Sequence, residues 1–207
     1  MTPIENIIEY ANDGQPRERD FEKLQGIMVH RCGVDLQTGT VLGYDGRSVC
    51  DAFLGRVGRF RDVAQATGGQ NAYSIYIGGD LGPEEFDGKI WQALPLDEVG
   101  YHGRRFSVAY LGIGLIFDGR ERAASPAQYA SLVDLCAELC AAWTWDPYKK
   151  IKAHGEVPKA HNGTKAPGEP AACPGDLLGM NALRDDVSTM MKDRARRSLY
   201  DAGLIFQ

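Results

Sequence analysis

Apolar and polar positions follow two periods along this chain, and where each period applies gives the elements. At the N-terminus Ile4, Ile7 and Ile8 recur behind Thr2-Pro3-Ile4-Glu5, a capping box with proline at the first helical position, which predicts a short helix. Residues 26–30, Gly-Ile-Met-Val-His, form a short apolar run that predicts a buried strand ending at His30. Over residues 48–65, Val49, Phe53, Leu54, Val57, Phe60, Val63 and Ala64 fall at helical spacing, and Gly68-Gly69 stops the pattern. Residues 72–77 are β-branched and aromatic and close on Gly78-Gly79, a strand, and residues 89–94 give a second one after the Asp87-Gly88 turn. Residues 108–117 are apolar on both faces, as a central strand would be. Ser125-Pro126-Ala127-Gln128 is a second capping box, opening a helix striped by Tyr129, Leu132, Val133, Cys136, Leu139, Cys140 and Trp143. A strand to His154, a long loop rich in Gly and Pro, a helix over residues 176–196 and a short tail complete the chain.

This order predicts a single α/β domain, a central mixed β-sheet flanked by helices. The sheet is mixed because short turns join its middle strands. The core is expected over residues 20–195, with the N-terminal helix and the tail, including Leu204-Ile-Phe206, packing on it. At 207 residues the chain is long enough to bury such a core.

Composition narrows the function classes. A net charge of −5 argues against a broad basic face, so nucleic acid is not an expected partner. No membrane span is expected, since the longest apolar run, residues 111–117, is strand-sized and broken by glycines. The first residues lack the basic start and apolar stretch of a secretory signal, which predicts synthesis in the cytoplasm. Five cysteines, an odd number, fit reduced thiols better than a disulfide framework. A monomer is expected.

The loop over residues 154–175 holds two of the four histidines and one of the five cysteines. His154 and Cys173 stand at its two rims, and His30 ends a strand elsewhere. Two neutral imidazoles and a thiolate would hold zinc through three protein ligands and leave a fourth position for water. Such a site suits amide hydrolysis, because it acidifies water and polarises a carbonyl. Cys173 also precedes a helix N-terminus, whose dipole favours the thiolate. Partly buried histidines and a structural cysteine would produce the same spacing, and placement alone leaves both readings open. Cys32 would share the face of His30 if the strand continues, within reach of a metal or another thiol, although packing at a strand end is the plainer account. Cys136 and Cys140, one turn apart on an apolar face, read as core.

Several pieces then line up: Ile-Met-Val-His30, Tyr73-Ser-Ile-Tyr-Ile-Gly-Gly-Asp80, Asp87-Gly-Lys-Ile-Trp-Gln-Ala-Leu-Pro95 and Gly-Tyr-His102-Gly. Val-Ala-Tyr-Leu-Gly-Ile-Gly-Leu115, Ser125-Pro-Ala-Gln-Tyr129, Ile-Lys-Ala-His154-Gly-Glu-Val157 and Cys173-Pro-Gly175 follow. In this order they resemble the type 2 N-acetylmuramoyl-L-alanine amidases, the zinc amidase fold shared with peptidoglycan recognition proteins and several phage lysins. The resemblance implies a hydrolase, with Zn2+ on His30, His154 and Cys173, that cuts the amide between N-acetylmuramic acid and L-alanine in peptidoglycan. A phage endolysin and a bacterial cell-wall amidase are both settings for it. It further implies that Tyr73 hydrogen-bonds the attacking water or the oxyanion, and that His102 contacts sugar or peptide in the substrate cleft.

The chain departs from that pattern in places. Ala171 stands where many members have Lys or Thr two residues before the Cys ligand, and Gly114 where others have a Glu base. Arg31 replaces a second His, which alters the support of the metal. Residues 166–170 resemble an insertion in the ligand loop, and Lys165, with His161 as the weaker alternative, is the candidate to replace the missing donor. Two rival readings follow. One is a non-catalytic peptidoglycan-binding protein of the same fold, favoured by the missing residues and opposed by the retained ligands. The other is a metal-free thiol hydrolase using Cys173 and His154.

Overall fold

The run before His30 forms β2 (Gly26–Arg31), and the sheet is built outward from it. The remaining strands are β1 (Ile4–Asn6), β3 (Ile75–Ile77), β4 (Ile90–Gln92), β5 (Tyr110–Leu115) and β6 (Ile151–Ala153), in the spatial order β1-β4-β3-β5-β2-β6. β3 and β4, joined by residues 78–89 with a 3₁₀ turn at Glu84–Phe86, are antiparallel, and every other neighbouring pair is parallel, so the sheet is mixed. This computed structural model describes residues 2–11, 17–34, 40–57, 70–102, 106–119, 121–157 and 173–204.

Alternation along the strands separates two cores. On one face Ile27, Val29, Ile75, Ile77, Leu111, Ile113 and Leu115 pack beneath α3 (Pro126–Ala142) and α5 (Met180–Asp201), which contribute Leu132, Cys136, Cys140, Leu183 and Val187. On the other, Tyr76 and Trp91 pack with Val49, Cys50 and Phe53 of α2 (Gly46–Phe53) and with Ala11 of α1 (Ile8–Ala11). A one-turn helix, α4 (Pro147–Lys150), leads directly into β6. The central strand β5 lies between β3 and β2 and is buried on both faces from Leu111 to Leu115. On the α2 side β5 presents Gly112 and Gly114, register partners of Met28 and His30.

Local capping chemistry sets two helix starts, at Ser125 as the sequence indicated and at Asp45, which it did not. Ser125 Oγ accepts from the Gln128 N–H at 3.0 Å and launches α3, while Asp45 and Ser48 form a reciprocal capping box on α2. The N-terminus differs from expectation. Ile4–Asn6 pairs in parallel with Ile90–Gln92, and the helix shrinks to Ile8–Ala11. The open edge of β4 offers ladder hydrogen bonds to β-branched residues, and that outweighs a local capping signal. The helix expected over residues 48–65 runs from Gly46 to Phe53, and residues 58–65 lie outside the described residues. The last helix starts at Met180 and continues to Asp201, while Leu204 beyond it is 71% exposed, so the tail is not packed down at that residue. Among the described residues, no helix is long and apolar enough to cross a membrane.

Candidate metal centre

Three chain segments meet at the end of β2. His30 is its penultimate residue, His154 opens the 3₁₀ turn His154–Glu156 directly after β6, and Cys173 lies in the turn before α5. The Gly155 N–H donates to the Cys173 carbonyl at 3.0 Å, tying the second and third segments together. Gly175 lets the chain leave Cys173, because its φ is +124° and a Cβ there would stand 2.0 Å from the Gly119 carbonyl oxygen.

The ligand atoms of His30, His154 and Cys173 all lie within 4.8 Å of one another. Two ligands of a tetrahedral zinc, bonded at about 2.1 and 2.3 Å, stand about 3.6 Å apart. His30 Nδ1 and Cys173 Sγ are 3.8 Å apart, so the donor set fits such an ion with little adjustment. Its chemistry fits as well, imidazoles and a soft thiol being zinc ligands. Burial, helped by His102 and His154, holds the His30 imidazole well below its usual basicity, which keeps it neutral with a lone pair to offer. Burial pushes the Cys173 thiol up to about 11, against a hydrogen bond from the Arg31 backbone and the Arg31 charge. Without a cation this sulfur stays protonated at neutral pH, whereas a coordinated thiol is deprotonated.

Two rings close the centre on the α2 side. Tyr73, just before β3, lies 4.9 Å from His30 between ring centroids and makes edge contacts with Phe53 and Tyr76, each at 5.6 Å. Burial first, then Cys32 and Cys173, push its phenol well above the ordinary range, so Oη keeps its proton. A Cβ on Gly114 would stand 2.6 Å from Tyr73 Cδ2 and 2.8 Å from Cys32 Sγ. The aromatic ring and the sulfur thus fill the space over this strand position. Cys32 is buried in the same apolar cluster as Tyr73 and Phe53. Burial, with Cys173 and Cys50 nearby, raises its thiol well above normal.

The second ring is His102. Its Nδ1 is 3.0 Å from His30 Nε2 and its Nε2 is 3.1 Å from the Tyr110 carbonyl oxygen. Burial and then the Arg19 charge hold it down to about 3. Arg19 donates to the carbonyls of Ser107 and Leu96 behind it. On the His154 side, Glu156 accepts from the Ala153 N–H at 2.9 Å and pairs with Arg184 of α5, whose Nε donates to the Ile151 carbonyl at 3.0 Å. The sequence reading missed Arg19 and Arg184. Glu156 is visible in the His-Gly-Glu-Val piece, but its partner sits on a distant polar helix and carries no local signal. Lys165, His161 and Ala171 lie outside the described residues.

The α/β sheet thus carries a two-histidine, one-cysteine donor cluster, with His30 and Cys173 buried and His154 half-buried. The family model for N-acetylmuramoyl-L-alanine amidase matches residues 20–176, and the chain belongs to that family. Its fold is similar to that of a selenomethionine derivative of AmpD, with a TM-score of 0.61 and 15% identity over 90% of this chain and 95% of that one. An endolysin from a Thermus scotoductus bacteriophage gives 0.60 and 18% over 89% and 99%. A complex of the peptidoglycan recognition proteins LCa and LCx bound to tracheal cytotoxin gives 0.52 and 19% over 86% and 92%. At these identities the likeness is one of fold. No curated protein matches the sequence.

Proposed function

We propose that this protein hydrolyses the amide bond between N-acetylmuramic acid and L-alanine in peptidoglycan, using Zn2+ held by His30, His154 and Cys173. The observation that carries this reading is the convergence of those three ligand atoms within 4.8 Å, at strand ends of a chain belonging to the amidase family. The metal would supply Lewis acidity toward an amide carbonyl and toward water. The protein's own part is positional. Burial keeps the His30 imidazole neutral, and the thiol is placed where only a cation would ionise it. Tyr73 keeps its proton on Oη and would donate it in a hydrogen bond to the oxyanion that develops on the carbonyl. Lys165 is proposed as the cation that takes the place of the oxyanion donor missing at Ala171. The geometry favours this account over a metal-free Cys173–His154 hydrolase, because Cys173 Sγ lies 3.8 Å from His30 Nδ1 and converges with both histidines as a donor cluster.

The reaction fits two settings, lysis of a host by a phage and turnover of a bacterium's own wall. Mass spectrometry of purified peptidoglycan incubated with the protein tests the chemistry. The expected products are free stem peptides with an L-alanine amino terminus beside intact glycan strands, lost with a chelator and restored by zinc. Binding to peptidoglycan without products, from protein shown to hold one zinc, would replace the reading with a recognition protein of the same fold. In the same assay Lys165→Ala should slow turnover, and unchanged turnover would remove that residue from the mechanism.

A further inference from the structure

We propose that His102 is a positioning residue for His30, setting which of the two His30 nitrogens carries the proton and therefore which one is free to bind metal. The argument is a chain of donors and acceptors with one fixed end. The Tyr110 carbonyl can only accept, so His102 Nε2, 3.1 Å away, carries the hydrogen of that ring. A neutral imidazole has a single N–H, so His102 Nδ1 is a lone pair. His30 Nε2 lies 3.0 Å from that lone pair and must donate to it. That leaves His30 Nδ1 bare, and Nδ1 is the nitrogen found 3.8 Å from Cys173 Sγ. A backbone carbonyl thus specifies, through two rings, the donor atom that faces the cluster. Outer partners of this kind fix the tautomer and orientation of metal-binding histidines.

The surroundings are shaped for this one pose. A Cβ on Gly112 would stand 2.6 Å from His102 Cδ2, 2.8 Å from Cγ and 2.9 Å from Nε2, so the strand gives up its side chain where the ring lies. The His102 N–H donates to Ser107 Oγ at 3.2 Å, and Arg19 Nη2 holds the Ser107 carbonyl at 3.0 Å. The two ring planes stand at 82° with centroids 5.0 Å apart, and the contact between them runs through His30 Nε2 and His102 Nδ1. With both nitrogens of His102 engaged, a contact with sugar or peptide would require one of these bonds to break.

The metal-binding consequence rests on the zinc reading above, but the tautomers do not, and the experiment separates them. Long-range proton–nitrogen NMR on the metal-free, full-length protein with labelled histidine should show both His30 and His102 protonated on Nε2. Zinc affinity, read by competition with a chromogenic chelator, should fall about 10–100-fold in His102→Phe. Most of it should return in His102→Asn, whose amide oxygen can accept from His30 Nε2. Gly112→Ala, which keeps the imidazole but displaces it, should move affinity in the same direction as His102→Phe. His30 protonated on Nδ1 in the wild type would overturn the proposal, as would wild-type zinc affinity in a folded His102→Phe. Should that variant not fold, the wild-type tautomers and His102→Asn decide. A raised KM for peptidoglycan with zinc affinity and the His30 tautomer unchanged would overturn it in favour of a substrate contact. Protein that takes up no zinc, with both tautomers as stated, would overturn the zinc reading and uphold the His30–His102 pair.

Discussion

At Gly114 a side chain and a neighbouring ring compete for one volume. The Tyr73 ring and the Cys32 sulfur fill the place a Cβ would take, at 2.6 and 2.8 Å, and both residues are buried. Gly114→Ala should therefore overpack the cluster, costing about 1–3 kcal/mol. It should also lower activity by pushing Tyr73 off its position beside His30. Tyr73→Phe separates the two effects. It keeps the ring on Gly114 but removes the hydroxyl, so stability in urea should stay near wild type while kcat falls about 10²–10³-fold, the usual loss for one oxyanion donor. Equal kcat in Tyr73→Phe and wild type would leave Tyr73 a packing residue. The glycine pair also marks a limit of sequence reading. His30, His154 and Cys173 stand out because each is a soft donor at an element edge. Gly112 lies unmarked in an apolar stretch and Gly114 stands out there only as a departure from the resembled family, because a pattern of apolar side chains does not register the ring that will lie across a residue without one.

At the scale of elements, α5 determines where His154 sits. Arg184, 7% exposed, donates to the Ile151 carbonyl, to Asn181 and to Glu156, whose carboxylate also caps the Ala153 N–H just before the ligand. Arg184→Met keeps the apolar volume but removes all three hydrogen bonds. With Glu156 partly exposed, the expected loss is about 1–3 kcal/mol. Zinc affinity should fall with it, because the turn that opens with His154 loses its anchor. Calorimetry with and without zinc reads both, and a stability loss with unchanged affinity would confine Arg184 to a packing role. Elements whose signals are local were legible here, as in the Ser125 cap of α3 and the run ending at His30. β1 was not, because its partner β4 lies far along the chain and the choice between strand and helix at Ile4 is made by that edge. The coupling of α5 to His154 was hidden for the same reason, resting on a pair that only tertiary structure brings together.

For the molecule as a whole, the question is whether the metal holds the fold or the fold holds the metal. The donors lie at the ends of β2 and β6 and before α5, while the two apolar clusters run along both faces of the sheet and draw on α1, α2, α3 and α5. A cluster supported this way is largely formed before an ion arrives, unlike the small zinc modules that are unfolded without their metal. Chelator-treated protein should then keep its far-UV circular dichroism and a cooperative thermal transition while losing hydrolysis of peptidoglycan. Zinc added back at about 100 times its Kd should stabilise it by about 2.7 kcal/mol, which for a chain of this size raises Tm by about 5–10 °C. Collapse of the circular dichroism on chelation would mean that β6 and the turn carrying Cys173 fold only around the ion. In that case the buried thiol and the neutral His30 imidazole would be products of metal binding, and the His30–His102 pair could no longer be regarded as preparing the site in advance.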